Sequence, residues 1–180
     1  MIRQDFSIPE LHGISRHQFA WQWLPASGQC GGILLGVQKD YFSVKDMHRG
    51  EFFLSMSITD RRVNLNLAGI IVYGPMDHGS SADFLDKLKS KVEQCTTLVV
   101  VARDFKLIRW ACDMSSPNLD RMCMHLFNDF IADLVLWDIA IVGRYTWTNK
   151  QVDPIRSVVD RVFISAQWEL RFPFGFDHAP

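Results

Sequence analysis

The chain is poor in the features that announce several common classes of protein. Its 180 residues hold only 4 cysteines. Cys30, Cys95, Cys112 and Cys123 lie far apart and form no CxxC pair, which argues against a disulfide frame or a cysteine-built metal site and for reduced, mostly buried thiols. Cys123 with His125 is a partial ligand spacing and no more. An excess of one charge is missing too: 19 Lys plus Arg stand against 20 Asp plus Glu, so any nucleic-acid or acidic-membrane contact must be local. The longest apolar run, residues 130–142, is broken by Asp133 and Asp138 and falls short of the roughly 18 to 20 residues that cross a bilayer. The opening MIRQDFSIPEL has Asp5 and Glu10 where a secretory leader would carry its apolar core. No repeat of about 20 to 50 residues and no Pro/Ser-rich linker divides the chain. These absences lead to the expectation of a single intracellular domain, the nucleus included as a setting, with no membrane partner.

What is present describes an ordinary core. Hydrophobic residues make up 48% of the chain, and 13 Phe, 6 Trp and 11 Gly are spread along its length. A domain of this size buries roughly 70% of the surface its unfolded form exposes. Ser7 with Glu10 has the spacing of a capping box, and Pro9 sits in the first turn, which predicts a short helix to about Gly13. Phe19, Trp21 and Trp23 alternate and predict a strand ending at Pro25, with its three rings on one buried face. The continuous run from Gly31 to Val37 predicts a strand covered on both faces. Further strands are expected at residues 51–58 and 63–73.

Downstream, Phe84, Leu85, Leu88, Val92 and Cys95 form one stripe of a helix predicted over residues 81–94. Leu98 to Ala102 reads as a short buried strand delivering Asp104 at its end. A second helix is expected from about Pro117 to Val135, and two more strands at residues 145–148 and 158–165. Helices alternating with strands, some doubly buried, indicate an α/β or α+β sandwich.

The informative positions are polar residues at the ends of apolar strands. Tyr73 ends one, Asp104 another, and Asp160 lies within Val158-Val159-Asp160-Arg161-Val162-Phe163. A carboxylate there costs several kcal/mol unless it is satisfied, by a partner such as Arg161, by a backbone amide, or by a cation. Arg103, Lys106 and Arg109 read either as a solvated basic loop or as phosphate contacts. Tyr145 and Trp147 read as packing residues or as base-stacking rings. Asp177-His178 closes the series near the C-terminus.

Taken in order, Val72-Tyr73-Gly74-Pro75, the segment from Val101 through Arg103-Asp104-Phe105-Lys106 to Arg109, Tyr145-Thr146-Trp147-Thr148-Asn149, Val159-Asp160-Arg161-Val162-Phe163 and Asp177-His178-Ala179-Pro180 resemble successive motifs of the endonuclease/exonuclease/phosphatase superfamily. The resemblance is strongest to the endonuclease-type domain of plant LINE-like, non-LTR retroelements. It implies a four-layer α/β/β/α sandwich with two packed mixed sheets, and phosphodiester hydrolysis, on DNA or a related substrate, assisted by Mg²⁺ or Mn²⁺. A hard cation with oxygen ligands neutralises the charge that grows on the phosphoryl oxygens as water attacks in line.

By that resemblance the catalytic set is Tyr73 on the phosphate, Asp104 on the attacking water, Asp160 orienting a histidine, and His178 stabilising the phosphoryl charge, with Asp177 near the metal. Arg103, Lys106, Trp147 and Asn149 are the expected phosphate or nucleic-acid contacts. The chain departs from the family pattern at several points. It begins just past the strand and Gln-Glu-Thr segment whose glutamate is the principal metal ligand, so residues 1–180 are expected to be one domain, incomplete at both ends. In the family's GDFN motif, Arg103 replaces the glycine and Lys106 the asparagine, and a lysine only donates and brings its own charge. The connection from Trp168 to Asp177 is also short. These departures imply a degenerate hydrolase with weak or no activity, the alternative being a non-catalytic α/β remnant that binds nucleic acid or a partner.

Overall fold

The apolar runs around residues 53–73 and 98–104 form the middle of a six-stranded sheet. The structure, a computed structural model, describes residues 5–26, 32–139 and 144–172. Its elements run α1 (Ile8–Ile14), β1 (Phe19–Leu24), β2 (Ile33–Gln38), β3 (Phe42–Arg49), β4 (Phe53–Asp60), β5 (Leu65–Tyr73), α2 (Ser81–Glu93), β6 (Leu98–Asp104), α3 (Arg121–Asp133), β7 (Leu136–Ile139), β8 (Trp147–Thr148), β9 (Arg156–Ser157), β10 (Asp160–Ser165) and α4 (Gln167–Arg171), with single 3₁₀ turns at His78–Ser80 and Ala111–Asp113. The main sheet has the order β3-β4-β5-β6-β10-β7, with β5 and β6 parallel and the other neighbours antiparallel.

Strand periodicity sorts the side chains of this sheet onto two faces. Ala68, Ile70 and Val72 of β5, Val99 and Val101 of β6 and Phe163 of β10 face α2 and α3, where Phe84, Leu88, Phe127 and Ile131 complete the core. Four phenylalanines without solvent exposure form its centre: Phe105 lies 5.2 Å from both Phe127 and Phe163, and 6.4 Å from Phe84, between ring centroids. The opposite face carries Ile71, Tyr73, Ala102, Asp104, Asp160 and Val162. There the β1–β2 hairpin lies against β4 and β5.

The expected α+β class, a central many-stranded sheet with helices packed on it, is therefore present. Among the described residues the second layer, however, is a two-stranded hairpin, and its rings are half-buried, so the face of Phe19, Trp21 and Trp23 is not the fully buried one the alternation predicted. β2 is likewise buried only at Ile33 and Val37, where cover on both faces was expected. The α1 cap is as expected: the Glu10 carboxylate accepts from the Ser7 amide at 2.9 Å and from its hydroxyl at 2.7 Å. α3 starts at Arg121, later than the predicted Pro117, because Asp120 caps it by accepting from the Cys123 amide at 3.0 Å.

Candidate functional site at the strand ends

Three of the predicted residues meet through strand register. Tyr73 of β5 is the parallel partner of Asp104 on β6, and Asp104 is the antiparallel partner of Asp160 on β10. All three share the face turned away from the helices. The junction is fixed by backbone bonds: the Gly74 amide donates to the Asp104 carbonyl at 2.7 Å, and the Phe105 amide to the Val159 carbonyl at 2.9 Å. Gly74 is required there, since a Cβ would stand 2.0 Å from the Phe105 carbonyl oxygen. Below it, the buried Phe105 ring anchors Asp104 in the core.

Lys106 dominates the electrostatics of this junction. Its ammonium pairs with the Asp104 carboxylate, both side chains being largely buried, and lies 4.9 Å from the centroid of the Tyr73 ring. Burial works against the lysine's charge, but the hydrogen bond and charge of Asp104 outweigh it and hold Lys106 above the ordinary lysine range. The backbone is equally telling. Arg103 has φ 102° and Lys106 φ 58°, the left-handed region in which glycine and asparagine are at ease. Those are the two residue types of the resembled motif at these positions.

Asp160 is not paired with Arg161, its neighbour in sequence, because adjacent strand residues point to opposite faces. The Arg161 guanidinium, buried on the helix side, reaches Asp113 and Asp138, the latter at 2.6 Å. Arg109 joins the same network, to Asp138 at 3.0 Å and to the Asn128 side-chain carbonyl at 3.1 Å. The solvated basic loop therefore reduces to Arg103 alone, which is exposed; Lys106 and Arg109 are both ion-paired. Among the described residues the Asp160 carboxylate has no side-chain partner, while its amide and that of Val159 both donate to the Thr146 hydroxyl at 3.0 Å.

No protein-family model and no curated protein sequence matches the chain. Solved structures do. The endonuclease domain of TRAS1, a telomere-specific non-LTR retrotransposon, is 11% identical with a TM-score of 0.62, over 82% of this chain and 68% of that one. The catalytic domain of human Nocturnin with bound sulfate is 12% identical with a TM-score of 0.57, over 88% and 64%. A humanized TDP2 of D. rerio is 13% identical with a TM-score of 0.54, over 81% and 61%. The Bacteroides thetaiotaomicron match, described as an endonuclease/exonuclease/phosphatase family protein, gives a TM-score of 0.51 at 10% identity, over 81% of this chain and 61% of that one. The fold is the endonuclease/exonuclease/phosphatase fold. The chain spans less than two thirds of the TDP2 and Nocturnin chains it matches.

Within this fold the remaining predicted residues are placed as follows. Asp177 and His178 lie outside the described residues. Trp147 is 42% exposed and lines a cavity of about 210 Å³ together with Lys106 and Val159. Asn149 closes a loop, its side-chain carbonyl accepting from the Ile155 amide at 3.1 Å and the Gln151 amide at 3.3 Å. As a site for Mg²⁺ or Mn²⁺, the junction offers the right donor type, the carboxylate oxygens of Asp104 and Asp160, with the Lys106 ammonium paired to the first. Among the described residues no third His, Cys, Asp or Glu ligand joins them.

One convergent cluster lay beyond the sequence reading. His78, Asp120 and Cys123 bring their ligand atoms within 4.8 Å of one another, so the partner of Cys123 is not His125. The Asp120 carboxyl is held down to about 2 by the Cys123 amide that it caps and by His78, whose Nδ1 lies 2.9 Å away. Burial pushes the Cys123 thiol up. The Asp-x-x-Cys spacing at a helix start was the available signal. His78, 42 residues upstream of Asp120, could be joined to it only through the fold.

Proposed function

We propose that this chain is a degenerate phosphodiester-hydrolase-like domain, in which the strand-end site keeps its backbone but has exchanged a cation for a lysine. The observation that carries this reading is the Lys106 ammonium against Asp104 and over the Tyr73 ring. Two carboxylates in register on neighbouring strands repel one another unless a positive charge lies between them. Here a covalently attached charge neutralises Asp104 and so relieves that repulsion, and it cannot generate hydroxide as a divalent ion can. The kinship to endonuclease-type domains of plant LINE-like retroelements rests on Tyr145-Thr146-Trp147-Thr148-Asn149 followed by Asp160-Arg161-Val162-Phe163, whose Thr146 and Asp160 are joined by a hydrogen bond. DNA or a related phosphodiester is the substrate class from which such a site descends, and a nuclear setting accords with it.

Plasmid nicking by the purified chain with Mg²⁺ or Mn²⁺, beside an Asp104→Ala control, tests the reading. Equal background in both is expected; cleavage that depends on Asp104 overturns it.

A non-catalytic strand-binding role is favoured by the exposed Arg103 and the 42% exposed Trp147 near the same junction. Stacking on a nucleobase contributes about 1 to 3 kcal/mol. Trp147→Ala should then weaken binding of a labelled single-stranded oligonucleotide by about tenfold or more in fluorescence anisotropy. An unchanged affinity removes this role.

A further inference from the structure

We propose that His78, Asp120 and Cys123 form a binding site for a thiophilic divalent transition ion of the zinc class, built from residues other than Tyr73, Asp104 and Asp160 but on the cavity that Lys106 also lines. The three side chains come from two elements. His78 stands in the 3₁₀ turn that leads into α2, while Asp120 and Cys123 lie three residues apart at the start of α3 and so face the same side. Their ligand atoms lie within 4.8 Å of one another. Tetrahedral coordination, with Zn–S about 2.3 Å and Zn–N or Zn–O about 2.0 Å, sets donors about 3.3 to 3.6 Å apart. A side-chain adjustment of about an ångström therefore closes the set around one ion. One imidazole, one carboxylate and one thiol suit zinc and exclude Mg²⁺ and Ca²⁺, which take oxygen ligands. Thiolate and carboxylate together cancel a 2+ charge.

Two further observations point to a ligand here. The Ser81 hydroxyl is 1% exposed and, among the described residues, meets only the Cys123 sulfur, a weak acceptor for a buried polar group. A thiolate on a metal ion would accept from it, supplying the second-sphere contact that metal-bound thiolates receive. Moreover, His78, Asp120 and Cys123 all line the 210 Å³ cavity, together with the thioether-bearing Met76 and Met124. Three protein ligands bordering a cavity leave a fourth position for water or an incoming donor, the arrangement of open zinc sites. Binding deprotonates the Cys123 thiol and releases one proton to solvent.

Titration of the full chain, under reducing conditions, with Co²⁺ as the spectroscopic stand-in for zinc tests the site. The expected result is a thiolate-to-cobalt charge-transfer band with the visible bands of a tetrahedral ion, bleached by one equivalent of Zn²⁺. Cys112→Ser, which alters an exposed thiol outside the cluster, should keep these bands. Cys123→Ser should abolish the charge-transfer band. His78→Ala removes a side chain 55% exposed to solvent, so the fold survives it, and it too should abolish the tetrahedral spectrum. Ser81→Ala, which touches no metal, should weaken Co²⁺ affinity. Absence of the band in the wild-type chain, or its persistence in Cys123→Ser or His78→Ala, overturns the site. None of these results bears on nicking at Asp104.

Discussion

Arg103 and Lys106 show what a single residue can retain and lose. The motif resemblance exposed them as departures from glycine and asparagine, but not why those types belong there. The left-handed backbone at both positions supplies the reason. Arg103 stores strain of about 1 to 3 kcal/mol in that conformation. Glycine relieves it while giving the unfolded chain about 0.4 to 1 kcal/mol more freedom. Arg103→Gly should therefore stabilise the fold by about 1 kcal/mol and raise Tm by about 2 to 4 °C in a thermal melt; an unchanged or lower Tm contradicts the strain. Lys106 carries a pH signature. Its pKa is raised on folding, so its contribution is whole below the ordinary lysine value of about 10.4 and is lost as pH climbs through the folded value. Urea midpoints above about pH 10.4 should fall more steeply for wild type than for Lys106→Met.

At the scale of elements, β10 divides its neighbours between two environments. Arg161 enters the helix side, where the Asp113 carboxylate also accepts from the amides of Arg109, at 3.0 Å, and Trp110, at 2.8 Å. Removing that guanidinium by Arg161→Ala leaves Asp113 without a charged partner and Asp138 with Arg109 alone, and should cost about 3 kcal/mol in urea unfolding. Asp160→Asn, one residue away on the opposite face, removes a charge that faces Asp104 and should cost less than about 1 kcal/mol. A similar cost for both would contradict the two-sided strand. Elements with one clean period were legible in the sequence: α2 and the core of β5 and β6 fall where their apolar patterns placed them. β3 was missed because its outer half carries Lys45, Asp46, His48 and Arg49 on an exposed sheet edge. β7 was missed because the run 130–142 joins a helix end to an edge strand, with a left-handed turn at Val135 between them. No pattern over that run could show both periods at once.

As a whole, the described residues set a six-stranded sheet between its helices and a two-stranded hairpin. The core around Phe105 lies on the helix side. Tyr73, Asp104 and Asp160 stand on the other side, at the ends of strands that the core holds in register. Their meeting was legible from motif order, whereas the ion pair that neutralises Asp104 was not, since a lysine two residues away reaches back where the backbone is left-handed at Lys106 itself. At the heart of this arrangement, the charge of Asp104 is balanced from within the chain by Lys106. The most direct test of that balance is titration of the Lys106 side chain by NMR in wild type and in Asp104→Asn. The expected result is a Lys106 pKa above the ordinary lysine range in wild type, falling when Asp104 is neutralised. A Lys106 that titrates like an exposed lysine, or is indifferent to Asp104→Asn, would contradict it.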